Sequence, residues 1–292
     1  MFRIVTAPVA LIAAMTAAFL TATPALAQSA GHVVLPDPTL PDPNDRSDNY
    51  TVAVGGGWIP DYEGSDDQEL TPFAAIRGRV NGLSFSTRGT YLYVDLIRQP
   101  ASGLDLDVGP IVGFRRERTG KVKDDLVNAL PERNTAIELG GFVGATLHGL
   151  TNPYDQLSLR VDVIHDVAKA HKSTIVTPAI DFATPLSTRT YVGLSLSADF
   201  VAGRYADYYY SISPAEGLVA GLPAYAADGG MKNWKVTALV NQSVSGNLLH
   251  GLSIFGGGTY SRLVGDIARS PIVEDRGSRS QWQAVLGLAY TF

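Results

Sequence analysis

The stretch SQWQAVLGLAYTF, residues 280–292, alternates from end to end. Trp282, Ala284, Leu286, Leu288, Tyr290 and Phe292 fall on one side of an extended chain, and Gln283, Val285, Gly287, Ala289 and Thr291 on the other. A period of two marks a strand whose faces meet different surroundings. Here one face is apolar and carries rings near both ends, while the other is small or polar.

The same pattern recurs upstream. Tyr50, Val52, Val54 and Trp58 oppose Thr51, Ala53, Gly55 and Gly57; Leu157, Leu159, Val161 and Val163 oppose Ser158, Arg160 and Asp162. Val192, Leu194, Leu196, Ala198 and Phe200 oppose Ser195, Ser197 and Asp199; Leu252, Ile254 and Tyr260 oppose Ser253, Gly257 and Thr259. Charges travel with the small residues. In a soluble sandwich the charged face would meet water and the apolar face a core. Three features favour the inverse arrangement, a transmembrane barrel: an export signal, abundant Gly with Tyr and Trp near strand ends, and strands of about ten or more residues where soluble ones average five or six.

Residues 1–29, MFRIVTAPVALIAAMTAAFLTATPALAQS, supply that signal: one Arg, an apolar centre, and Ala25-Leu26-Ala27 before a cut expected after Ala27. The apolar centre is broken by Pro8 and Pro24 and lacks a basic flank, unlike a membrane anchor. No later window approaches the ~18–20 apolar residues of a membrane helix. With no Cys among the 292 residues, disulfides, thiolate metal sites and cysteine nucleophiles are excluded, and a net charge of −5 gives no electrostatic case for nucleic acid.

Twelve strands are predicted, over 50–59, 69–79, 82–88, 91–97, 104–117, 134–148, 156–167, 173–183, 188–201, 232–243, 250–262 and 280–292. The fold class is thus all-β, a transmembrane antiparallel up-and-down barrel. An even count places the long connections 60–68, 118–133, 202–231 and 263–279 outside and the short ones on the periplasmic side. Fusing 82–97 into one strand would give eleven and put 118–133 on the wrong side, so a break near Gly89 is expected. The terminal strand closing on Phe292 also resembles the recognition signal of bacterial outer-membrane proteins. Three segments follow: a signal peptide at 1–27, a periplasmic tether at 28–49 with Pro36, Pro38, Pro41 and Pro43, and the barrel at 50–292.

The lumen is expected to hold Arg77, Arg79, Arg88, Arg115, Arg160 and Lys235 beside Asp95, Asp105, Asp107, Glu138, Asp162, Asp181 and Asp199. Their signs nearly cancel, which points to paired networks rather than an ion-selective channel. No catalytic, cofactor or metal site is expected. His171-Lys172-Ser173 faintly resembles the His-x-Ser of the outer-membrane phospholipase, but Thr174 stands where Asn should follow and no orienting partner for the His is evident. His165-Asp166 reads as a rim hydrogen bond rather than a metal pair. Asp61, Glu63, Asp66, Asp67 and Glu69 lack EF-hand spacing and read as a solvated acidic loop.

Three stretches are similar to one family. Gly57, Pro60, Tyr62, Gly64, Ser65, Leu70 and Pro72 match a G-x-x-P-x-Y-x-G-S motif with its following L-x-P; residues 205–234 resemble a tyrosine-rich loop; and RLVGDIARSPIV, residues 262–273, resembles a closing L-x-G-D-x-x-x-S-P-I-V loop. Together they resemble the MipA/OmpV family, the MltA-interacting proteins, over most of the mature chain. That resemblance implies a non-enzymatic outer-membrane barrel, in contact with outer-membrane lipids and lipopolysaccharide. It also implies a scaffold for peptidoglycan enzymes, with a lytic transglycosylase and a penicillin-binding protein as partners. A small-solute pore, or a surface receptor or adhesin, is the alternative.

Overall fold

A computed structural model describes residues 48–97 and 104–292. The expected signal peptide and most of the expected tether lie outside the described residues. Twelve strands appear among them: β1 (Asn49–Pro60), β2 (Gln68–Val80), β3 (Leu83–Arg88), β4 (Tyr91–Asp95), β5 (Leu104–Arg115), β6 (Ala136–His148), β7 (Gln156–Asp166), β8 (Thr174–Pro185), β9 (Thr190–Val201), β10 (Gly230–Ser243), β11 (Gly251–Leu263) and β12 (Ser280–Thr291). Each pairs antiparallel with its sequence neighbours, and β1 pairs with β12 from Thr51↔Thr291 to Trp58↔Ala284, closing the barrel. Closure leaves no edge strand at the seam, a requirement for a sheet in lipid.

The sidedness follows the alternation. Trp58, Leu159, Leu194, Trp282 and Leu286 are exposed on the outside, while Asp162, Asp199, Ser253, Thr259 and Gln281 are buried inside. A twelve-residue strand at about 3.3 Å per residue, tilted as barrel strands are, crosses the hydrocarbon layer. Rings gather at both ends of the outer face. Trp234, Tyr260 and Trp282 contact one another at 5.4 and 4.6 Å on β10, β11 and β12, and Tyr290, Phe292 and Tyr50 do so at 4.7 Å each across the seam. Phe292 also donates its N–H to the Tyr50 carbonyl at 2.9 Å, so the final residue ties the closing strand to β1.

All long loops leave from the end opposite Asn49, and they carry five short helices: α1 (Asp125–Asn128), α2 (Gly203–Tyr210), α3 (Pro214–Ala220), α4 (Gly265–Arg269) and α5 (Pro271–Glu274). The opposite end has tight turns, such as Asn81-Gly82 with φ of 54° and 78°, the positive pair a two-residue hairpin demands.

One wall panel is short. β3 and β4 turn at Gly89-Thr90, so β3 pairs with β2 only over residues 77–80. The Thr87 hydroxyl then accepts the Ile76 N–H at 3.0 Å and donates to the Ile76 carbonyl at 3.1 Å, standing in for the next ladder bonds. Above it Pro72 shares the edge of Ile76, and Pro is tolerated at such an edge because no donor is needed there.

Inside, Phe73 and Phe255 meet edge to face at 6.0 Å among Ala53, Ala75, Leu239 and Ala289. Gly287 makes room, since a Cβ there would lie 2.6 Å from the Phe255 ring. A second, larger apolar cluster includes Ile111, Phe142, Ile164, Ile175 and Val201, and polar side chains occupy much of the remaining interior.

Candidate functional site

The three sequence motifs meet in one place, a cap over the long-loop mouth. Tyr62, from the first, is fully buried and donates its hydroxyl to the Ile272 carbonyl at 3.3 Å in the last. Gly64 adopts φ 109° and lies so close to Val273 that a Cβ would come within 2.7 Å of its Cγ2. Its carbonyl accepts the Ser278 N–H at 2.8 Å, and the Gln281 amide donates to the Ser65 carbonyl at 2.9 Å. Ser270 donates to the Tyr210 carbonyl at 2.6 Å, joining the tyrosine-rich loop to the closing loop. Tyr62, Val122, Val127, Leu130, Ile212, Leu222 and Ile272 form a small apolar core within the cap.

Beneath it lies a layer of buried charge. Glu63 does not extend into solvent with its acidic loop. Its carboxylate accepts from Lys232 at 2.9 Å, Asn233 Nδ2 at 2.9 Å and the Tyr210 hydroxyl at 3.0 Å, while its N–H donates to Glu117 at 3.0 Å. The solvated-loop expectation therefore fails at Glu63, and also at Asp61, which is buried and accepts the Lys123 N–H at 2.6 Å. Burial works against the Glu63 carboxylate, but the charges of Lys232 and Arg115 outweigh it and hold the group below the usual carboxylate range. Glu117, buried and then repelled by Glu63, is pushed up. Lys232 continues to Asp199 at 3.0 Å, and Lys235 binds the same carboxylate at 2.9 Å.

A second bracket spans the barrel at the same end. Glu138 accepts from His171 Nε2 at 2.8 Å, from Arg115 Nε at 3.3 Å and from the Tyr91 hydroxyl. Tyr205 of α2 lies over it, with its ring 5.1 Å from that of His171 and 5.5 Å from the Arg115 guanidinium. The side chains of His171 and Ser173 are both buried. No hydrogen bond joins them: the Ser173 hydroxyl and His171 Nδ1 have no partner. The imidazole is oriented by Glu138, the partner that the sequence did not reveal, and is roofed by Tyr205 and Tyr209. His165 and Asp166 point to opposite faces, His165 meeting Thr174 at 2.9 Å outside and Asp166 accepting backbone N–H groups inside. Among the described residues no cluster of His, Asp or Glu is arranged to hold a metal.

Towards the short-turn end four more lumen charges meet. Arg88 and Arg160 both reach Asp181 Oδ2, at 3.0 and 2.8 Å, and Arg160 also binds Asp162 at 2.7 Å. Both guanidiniums stack on the Tyr93 ring, at 5.4 and 5.5 Å. Arg88, Tyr93, Arg160 and Asp181 line a cavity of about 210 Å³ that reaches Arg79, Asp95 and Gln156 at the strand ends. Every lumen residue expected from the sequence points inward; Glu63, Glu117, His171 and Lys232 were not among those expected. The lost signal at Lys232 is a register shift between Met231 and Asn233, which breaks the period of two at the head of β10.

A closed twelve-stranded barrel with an apolar girdled exterior, a capped mouth and a polar lumen defines an outer-membrane β-barrel. The family model for MltA-interacting protein MipA matches residues 52–292, and the chain belongs to that family. No curated protein matches it. Solved structures similar to it include the COG4313 outer membrane channel from Pseudomonas putida F1 (11% identity, 87% of this chain and 97% of that one, TM-score 0.42). Others are OprD from Pseudomonas aeruginosa (11%, 82% and 65%, 0.38) and OmpT of Vibrio cholerae (8%, 84% and 97%, 0.34). Similarity that remote carries no argument about this chain.

Proposed function

We propose that the protein is a non-enzymatic interaction protein of the outer membrane that presents its periplasmic face to enzymes of peptidoglycan synthesis and turnover, with a lytic transglycosylase and a penicillin-binding protein as partners. The family name supports an interaction role with the first. The observation that carries the reading is the closed mouth. The cap and the two charge brackets fill the outer end, so the accessible polar surface is the turn side, where the expected tether at 28–49 would join β1. The cap equally disfavours a pore. The apolar belt and the loops above it support contact with lipid and lipopolysaccharide.

The test is recovery of partners from detergent extracts of native membranes with the intact protein and with a form lacking residues 28–49. The reading expects both enzyme classes with the intact protein and fewer with the shortened one. Recovery of neither class by the intact protein contradicts it, and equal recovery by both forms removes the tether from the interface.

A further inference from the structure

The hydrogen-bonded ladder of the wall has a gap, and the gap lies within the apolar belt. β2 pairs with β1 from Pro60↔Gln68 to Asn49↔Arg79, but with β3 only as far as Arg77↔Ser86. On the far side β4 reaches Tyr91↔Gly113 on β5. Hydroxyls stitch the hairpin tip to both neighbours, Thr87 to Ile76 and Thr90 to the Phe114 carbonyl at 2.6 Å. Above that tip no register joins β2 to β5.

The open edge of β2 runs from Ala74 past Pro72 to Leu70, every second residue above Ile76. Exposed rings at the two ends of β1 fix its depth: Leu70 lies opposite Trp58, and Gly78 opposite Tyr50. An unpaired amide in hydrocarbon is costly, and barrels avoid it by closing every ladder. Pro72 removes one donor from this edge, as an edge that stays open requires. The Leu70 N–H remains, level with the girdle, where lipid ester and amide carbonyls begin. Leu70, 70% exposed, forms an apolar bank with Pro72 and half-buried Ala74, and Val112 on β5 stands across from it. Behind them Thr71 and Tyr91 are buried, so the opening is a slot in the outer surface and not a passage to the lumen. Over its top the chain after β5 returns to β2, the Lys123 ammonium donating to the Gln68 carbonyl, and Lys121 is exposed two residues earlier.

We propose that the slot between β2 and β5 holds one acyl chain of lipopolysaccharide, with the chain's carbonyl accepting the Leu70 N–H and a phosphate facing Lys121 and Lys123. Methylenes fill an apolar cleft, and ammonium groups attract an anionic head group at the level where phosphates lie. The site makes specific the lipopolysaccharide contact proposed above, rests on the orientation that puts the long loops outside, and depends on no cell-wall partner.

The test is native mass spectrometry of the refolded full chain in detergent, titrated with purified lipid A and, separately, with phosphatidylglycerol. Saturation at one lipid A per chain is expected, with phosphatidylglycerol about tenfold weaker or more. Ala74→Trp, whose ring would occupy the slot, should lower lipid A occupancy about tenfold. Ala238→Trp, outward on β10 where both ladders are intact, should leave it unchanged. Heat-dependent gel migration checks that each variant is folded. No saturation of the intact chain by lipid A overturns the proposal, whatever the variants do. So does equal binding of phosphatidylglycerol, or an equal response of the two variants. Recovery of peptidoglycan enzymes by Ala74→Trp should match that of the intact protein, so this site and the proposed function fail separately.

Discussion

At the residue scale the cap rests on Glu63 and Gly64. Glu63→Gln would leave Lys232 with Asp199 alone, 3.0 Å away. Stripping a buried ion of its only partner costs ~3–5 kcal/mol, and the surviving contact should reduce this to about 2 kcal/mol in urea unfolding from detergent. Gly64→Ala should cost a similar ~1–3 kcal/mol, from a positive φ and the contact with Val273, with the damage confined to the cap. The acid response has two opposed parts. Glu63 is depressed, so it stabilises above its unfolded value of about 4.3 and that contribution is lost as pH falls through its lower folded value. Glu117 is raised, so its contribution is present when protonated and lost as pH rises. Protection factors of residues 61–67, corrected for intrinsic exchange at each pH, should therefore rise as pH falls through the Glu117 transition and drop again as it falls below the usual carboxylate range. Protection that falls steadily from neutrality downward would contradict that pairing. None of this was legible in PDYEGSDDQE, whose five acids give no sign that one of them turns inward to a lysine 169 residues away.

At the element scale the strands were legible because lipid and lumen impose opposite demands on alternate residues, and a period of two survives wherever both are present. All twelve predicted spans lie within about two residues of the observed strands. The break at Gly89 follows from parity alone, although neither half of that hairpin is long enough to cross a membrane. What was not legible lies where the strand period lapses: the loop helices α1 to α5, whose residues do not alternate between lipid and lumen, and the head of β10, where a bulge resets the phase and hides Lys232. The short β3–β4 hairpin carries its own prediction. Thr87→Val removes both bonds to Ile76, and at ~0.5–1.5 kcal/mol each it should destabilise the barrel by about 1–2 kcal/mol while leaving outward packing intact. Unfolding of the variant in detergent checks it; an unchanged midpoint would mean that water or lipid already competes for that edge.

At the scale of the whole molecule, charge is placed to fill space. Lys232, Lys235 and Asp199 join to Glu63 of the cap, and Arg115, His171 and Glu138 span the wall beneath Tyr205. Arg88, Arg160, Asp181 and Asp162 close the middle. Near-cancellation of lumen charge was readable from composition along the strands; which partners meet was not, because pairing across a barrel depends on shear and not on sequence spacing. The consequence is a barrel capped at its long-loop mouth, with its cavity towards the short turns. Its most direct test is the steady current through single proteins in a planar bilayer, measured for the intact chain and for Glu63→Gln with Gly64→Ala. The intact protein should carry none, and the double variant should show intermittent openings; a steady ohmic conductance from the intact protein would contradict the closed mouth and the periplasm-facing role built on it.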